Sequence, residues 1–239
     1  MVSRKALLPI ITVFSTFTLF ATPSQAGSVS AGGWNASWDS SFDNVLGLTA
    51  LSTGDNTVTF NKFAQFTKGP GDDGVYEPLV ITFQQYSPNA KKWIRIGGES
   101  VVNQSGLDWT GFKFVLAPPA ADGVGFDLGK TFAPSDSFSI APFTTHALST
   151  NSKELTLTGG TVPHQPIGNN VWNPGQASGS LWINTGALTS GGSRAFEFKE
   201  IPIDPPASKA TAVPLPMGVW SGLMLLAAMG CWKMRSARA

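Results

Sequence analysis

Across residues 27–203 apolar side chains recur at every second position, and that period constrains the fold more than anything else in the 239-residue chain. Val58, Phe60, Ala64 and Phe66 fall on one side of residues 56–66, with Thr57, Thr59 and Asn61 on the other. Phe112, Phe114 and Leu116 alternate with Lys113 and Val115, Leu155 and Leu157 with Thr156, and Phe196 and Phe198 with Glu197 and Lys199. Residues 79–83 form a short apolar run of strand composition. Turn-forming residues separate these runs, among them Gly54, Pro88 with Asn89, Gly106, Gly123, Gly159 with Gly160, and Gly191 with Gly192. About nine short strands without a convincing helical segment predict an all-β fold, an antiparallel β-sandwich of jelly-roll or Ig-like type.

Both ends of the chain read as addresses rather than as parts of that domain. Residues 1–26 have the form of a signal peptide: Arg4 and Lys5, an apolar stretch over 6–21, then small residues leading to cleavage after Ala26. Residues 204–212 lack periodicity and contain Pro205 and Pro206, the composition of an extended linker. Val213, Pro214, Leu215 and Pro216 come next, followed by an uncharged stretch over 217–232 expected to form one transmembrane helix. Counted from 213 to 232, a helix would span about 30 Å, one hydrocarbon thickness. Lys233, Arg235 and Arg238 form a basic end that would stay in the cytoplasm, leaving residues 27–212 outside. All fifteen acidic residues lie within 27–212 against eleven basic ones, a charge of −4. That domain carries no basic footprint for nucleic acid. Cys231, the single cysteine, lies in the C-terminal apolar stretch, so an exported domain over 27–203 must be stabilised by its core rather than by disulfides.

A short proline motif, one apolar helix and a basic end make residues 213–239 resemble the PEP-CTERM sorting signal, the substrate tail of exosortases. Leu215 stands where the usual pattern carries Glu. The resemblance implies processing by signal peptidase and by an exosortase, with residues 213–232 as a transient membrane handle cut near Pro214 and Pro216. It implies passage through the inner membrane to the cell surface or extracellular space. An ordinary single-pass anchor is the alternative for the same stretch. Within the domain, Glu99, Ser100, Val101 and Asn103, then Gly106, Trp109 and Thr110, then Phe112, Phe114 and Leu116 are similar to a recurring module of PEP-CTERM surface proteins. That likeness implies a secreted β-sandwich and supplies no catalytic residue. Residues 103–108 read as a hairpin connection with Gly106 at positive φ, and Trp109 is expected to pack across the sandwich.

No constellation points to catalysis. His146 and His164 have no ligand at metal spacing, and no nucleophile elbow, phosphate loop or zinc signature is present. Asp72, Asp73 and Glu77 read as a solvated turn, since the spacing of a calcium loop is missing. No cofactor and no metal are expected. Of six domain tryptophans, Trp34, Trp38, Trp93, Trp109, Trp172 and Trp182, Trp172 lies in the most loop-like setting and is the candidate for an exposed ring stacking on sugar. The expected function is therefore a non-enzymatic, exported surface or matrix protein. The alternative is a carbohydrate-binding module acting on exopolysaccharide. A secreted hydrolase comes after both and would need two carboxylates from among Glu77, Glu99, Asp108, Asp127 and Glu154 in one cleft.

Overall fold

A strand that is apolar on one face only can bury that face against a second sheet, and two such sheets make a sandwich. The computed structural model describes residues 25–204 except 55, 118–122, 135, 137, 175–178 and 187–193. Most of the signal peptide, the linker from 205 and the whole tail lie outside the described residues. That places Val213, Pro214, Leu215, Pro216, the stretch 217–232, Lys233, Arg235 and Arg238 beyond structural description. Among the described residues no helix is long and apolar enough to cross a membrane.

The chain forms two facing sheets. One holds, side by side, β1 (Gln25–Ala31), β2 (Trp34–Asp39), β5 (Leu79–Gln85), β13 (Ala195–Ile203), β7 (Trp109–Ala117), β10 (Glu154–Val162) and β9 (Thr145–Leu148). The other holds β3 (Leu46–Thr53), β4 (Thr57–Phe66), β6 (Trp93–Asn103), β12 (Ser180–Asn184) and β8 (Gly125–Phe126), with β11 (Val171–Trp172) also paired to β6. The single turn of helix α1 (Leu128–Thr131) follows β8 and is capped by Asp127, whose Oδ1 accepts from the Lys130 amide at 2.9 Å. All-β and sandwich-like, the fold agrees with the period-two reading. One pairing departs from the antiparallel expectation: β4 and β6 run parallel, with Phe60 beside Ile96. The reason is topological. Between them the chain crosses to the opposite sheet as β5, so β6 returns in the direction of β4.

The core between the sheets is aromatic. Trp34, Phe60, Phe83, Phe112, Phe114, Phe196 and Phe198 are fully buried. Phe83 and Phe196 stack at 5.3 Å, Phe114 and Phe198 at 5.8 Å, and Phe60 meets Phe83 across the sheets at 5.7 Å. Such ring pairs add about 0.5–1.5 kcal/mol each beyond the area they bury.

Two local features decide what faces that core. Asn61 on β4 lies opposite Gly97, but Phe63 lies opposite Ser100, so β6 carries one extra residue, a β-bulge. Gly98 takes φ +53°, and a Cβ there would sit 2.8 Å from Asn61 Oδ1. Ile94 and Ile96 point inward before the bulge, and Glu99, Val101 and Asn103 after it. The second feature corrects the hairpin expectation. Residues 103–108 do not join neighbouring strands, because β6 and β7 belong to opposite sheets. They form an arch held from inside: Asn103 Nδ2 donates to the carbonyls of Leu107 and Val162, both at 2.9 Å, and its Oδ1 accepts from the amide and hydroxyl of Ser105. Gly106 has φ +87°. Trp109 begins β7 fully buried, 5.2 Å from Phe66, with Nε1 donating to Ser105 Oγ at 3.1 Å.

The expected processing point also lies on a strand. β1 starts at Gln25, paired with Asp39, and its register shifts before Gly27 meets Trp38. Cleavage after Ala26 would remove the residues before that irregularity and leave the pairs from Gly27 to Ala31 intact. Gly27 is required there, since any Cβ would overlap the Trp38 indole.

Candidate functional site

On the outer face of the six-stranded sheet the two-residue period does for polar chemistry what it does inside for packing. Trp93 and Arg95 project outward from β6, and Trp182 and Asn184 from β12, with Trp182 opposite Arg95 and Asn184 opposite Trp93. The two indoles are half-buried, 6.2 Å apart and inclined at 76°. Lys130, carried outward on α1, places Nζ 4.8 Å from the Trp93 ring centre and 5.2 Å from that of Trp182. The Arg95 guanidinium lies 4.8 Å from Trp182, and Lys92 Nζ 6.0 Å from Trp93. Each cation is within or at the limit of attraction by the ring face.

Asp136 fixes this group. Its Oδ2 accepts from Trp182 Nε1 at 2.8 Å and lies 3.8 Å from Arg95 Nη2, while its Oδ1 accepts from the Ser180 amide at 2.7 Å. Arg95 donates to Ser180 Oγ from both Nε and Nη2, and Thr131 Oγ1 accepts from the Trp182 amide. Indole and guanidinium are therefore oriented before any ligand arrives. Lys92, Arg95 and Lys130 gather about the two rings, and the one carboxylate shown with them, Asp136, is mostly buried beside Arg95, so cations predominate on this face of a domain that is acidic overall. A flat ring and adjacent cations suit a ligand with an apolar face and an anionic substituent. An open cleft of about 510 Å³ lies beyond the end of β12, lined in part by Asp127, Asn151, Lys153 and Asn184.

Trp172 is not part of any such surface. It is 2% exposed, and its ring packs against Phe112 at 5.0 Å, Phe143 at 5.2 Å and Phe114 at 6.0 Å. A two-residue strand hidden in a loop-like sequence explains the correction. Pairing with β6 sets Trp172 opposite Val101 and turns it inward, leaving Val171 outside. Trp34 and Trp109 are likewise core residues.

The ionisable groups considered for chemistry are engaged one by one. Glu77 pairs with Lys68 at 3.4 Å on the surface, Glu154 with Lys113 at 2.9 Å, and Asp127 caps α1. Asp73 Oδ1 accepts from the Val75 amide within its turn. His146 lies on β9 and stacks on Phe132 at 4.5 Å. His164 has an acidic neighbour that sequence distance concealed. Asp108 Oδ1 accepts from its amide at 2.9 Å and lies 2.7 Å from its Nδ1. The amide contact first, then the ring, hold the Asp108 carboxyl below its ordinary pKa. Among the described residues no group of three or more His, Cys, Asp or Glu is placed to hold a metal ion.

A second cluster lies in the core. Lys62 on β4, Glu99 on β6 and Glu200 on β13 meet between the sheets with side chains at most 1% exposed. Lys62 Nζ is 2.7 and 2.8 Å from the two oxygens of Glu200 and 3.0 Å from Glu99 Oε1. Burial pushes the Glu200 carboxyl up to about 8, with Lys62 opposing and Glu99 reinforcing the rise. Burial also disfavours the Lys62 ammonium, but the two carboxyl groups outweigh it and leave that pKa raised. The sequence carried a signal for two of the three: Lys62 shares parity with Phe60 and Ala64, and Glu200 with Phe196 and Phe198. Comparison with family models, curated proteins and solved structures gives no match, so both clusters are read from their own geometry.

Proposed function

We propose that this chain is an exported, non-enzymatic cell-surface or extracellular-matrix protein, sorted by an exosortase-type signal over residues 213–239. The observation that carries the reading is the pair of address-like ends: Arg4, Lys5, an apolar stretch and Ala26 at one, the proline motif, apolar stretch and Lys233, Arg235 and Arg238 at the other. In this reading signal peptidase cuts after Ala26, the helix over 217–232 holds the chain in the inner membrane, and an exosortase cuts near Pro214 and Pro216. The sandwich released outside is of jelly-roll or Ig-like type. Engagement of the candidate catalytic carboxylates in separate structural contacts supports a role without turnover. The test is expression of the full chain in a host with and without its exosortase. Loss of the tail and release from the membrane are expected only when the enzyme is present. A tail retained equally in both hosts defeats the proposal.

A second reading is favoured by the outer face of the six-stranded sheet: binding of an exopolysaccharide, specifically an acidic one. A pyranose ring would lie against Trp93 or Trp182 while its carboxylate meets Lys92, Lys130 or Arg95. Pull-down on insoluble uronate-bearing and neutral polysaccharides tests it. Preference for the acidic polymer is expected, weakened roughly ten-fold by Trp182→Ala, the equivalent of about 1–2 kcal/mol of ring and cation–π contact. Absence of wild-type binding to either polymer removes this reading.

A further inference from the structure

A lysine closed in between two carboxyl groups has two routes out of the expense of unsolvated charge. It can persist as an ion pair, or the amine and one acid can condense into an amide, which carries no charge at all. Lys62 is placed for the second route. Its Nζ touches both oxygens of Glu200 and one of Glu99, in a cluster that bulk water does not reach. The ion-pair arrangement is also incomplete: Glu99 Oε1 and Glu200 Oε1 have the Lys62 ammonium beside them, but Glu99 Oε2 is buried with neither a hydrogen bond nor an ion-pair contact. Polar atoms are rarely left so in a protein interior.

We propose that Lys62 and Glu200 condense to an intramolecular isopeptide bond, Nζ to Cδ, with Glu99 carrying the protons. The Lys62 ammonium gives one proton to the Glu99 carboxylate, and the neutral amine attacks Cδ of Glu200 in its acid form. Glu99 returns that proton to the departing hydroxyl and then takes a second from the nitrogen. The C–N bond forms, one C–O bond breaks, a single water leaves and Glu99 ends as the acid. No oxidant, reductant or co-reactant enters. Burial raises the Glu200 pKa and so favours its acid form, the form from which hydroxyl departs as water. Reacting groups held at contact distance replace an encounter in solution, which supplies much of the rate.

The location gives the bond a purpose. It joins β4 of one sheet to β13 of the other across the aromatic core and closes a loop of 138 positions. A cross-link over so long a loop restricts the unfolded chain, as a disulfide does. This chain has one cysteine and cannot make an internal disulfide.

Mass spectrometry of a tryptic digest of the purified, denatured full chain tests the proposal. Expected is a linked species, lighter by one water than its parts, joining the peptide that begins at Glu200 to the segment around Lys62. Trypsin then fails to cut after Lys62. Glu99→Gln, which keeps the shape and removes the proton carrier, is expected to slow linkage by about a hundred-fold, and Lys62→Arg to abolish it. Ordinary cleavage after Lys62 with a free peptide beginning at Glu200, in the wild type, overturns the proposal without recourse to any variant. A link from Lys62 to Glu99 instead overturns the assignment of partners, and full linkage in Glu99→Gln overturns the part given to Glu99.

Discussion

Tyr76 donates its phenolic hydrogen to Asp204 Oδ1 at 2.5 Å, and the same hydroxyl lies 3.3 Å from Ser105 Oγ at the foot of the arch. The ring meets Trp109 at 6.5 Å and is 2% exposed. Burial, then the hydrogen bond to Asp204, push its pKa up to about 12. The sign follows from the linkage of protonation to folding. Unfolded tyrosine loses its proton near 10 while the folded residue keeps it to about 12, so stability is intact below 10 and falls as pH climbs between these values. Alkaline spectrophotometric titration of the two tyrosines should show one late ionisation that Tyr76→Phe removes. Simultaneous ionisation of both would contradict the assignment. Residue type alone does not decide such environments. Trp172 and Trp182 both sit in short strands, β11 and β12, yet parity buries one and leaves the other half-buried at the surface.

Among the elements, the bulge of β6 has the widest effect. If the same residues ran as a regular strand through Gly97 and Gly98, Glu99 would keep the outward parity of Arg95, and no carboxylate from this strand would reach Lys62. Gly98→Ala should cost about 1–3 kcal/mol, because φ +53° strains an L residue and the new Cβ presses on Asn61. A lower denaturant midpoint at unchanged slope is the expected reading; an unchanged midpoint would show that the bulge relaxes freely. The strands themselves were legible, since period-two alternation is local to each segment. Lys62 and Glu200 were legible in principle, as charges at apolar positions of an otherwise consistent pattern. Glu99 was not, because the bulge that turns it inward breaks the parity by which it would be read. The arch escaped for another reason: Asn103, Ser105 and Gly106 suit a tight connection in either geometry, and only the placement of β6 and β7 in different sheets decides between them.

At the scale of the whole molecule, a sandwich was readable from the chain but its strand order was not, because pairing depends on partners far apart in sequence. The parallel contact of β4 with β6 exists only because β5 was given to the other sheet between them. A related feature governs how such a chain can be delivered. Among the described residues β13 is the last strand in sequence, yet it lies in the interior of its sheet, bonded to β5 on one side and β7 on the other. If the chain is exported as proposed, N-terminus first through a pore, it emerges as two half-sheets with raw edges between them. They are sealed only once residue 203 has cleared the channel. Compaction cannot run ahead of passage, and a chain stalled before residue 195 would keep two sticky borders open to neighbours.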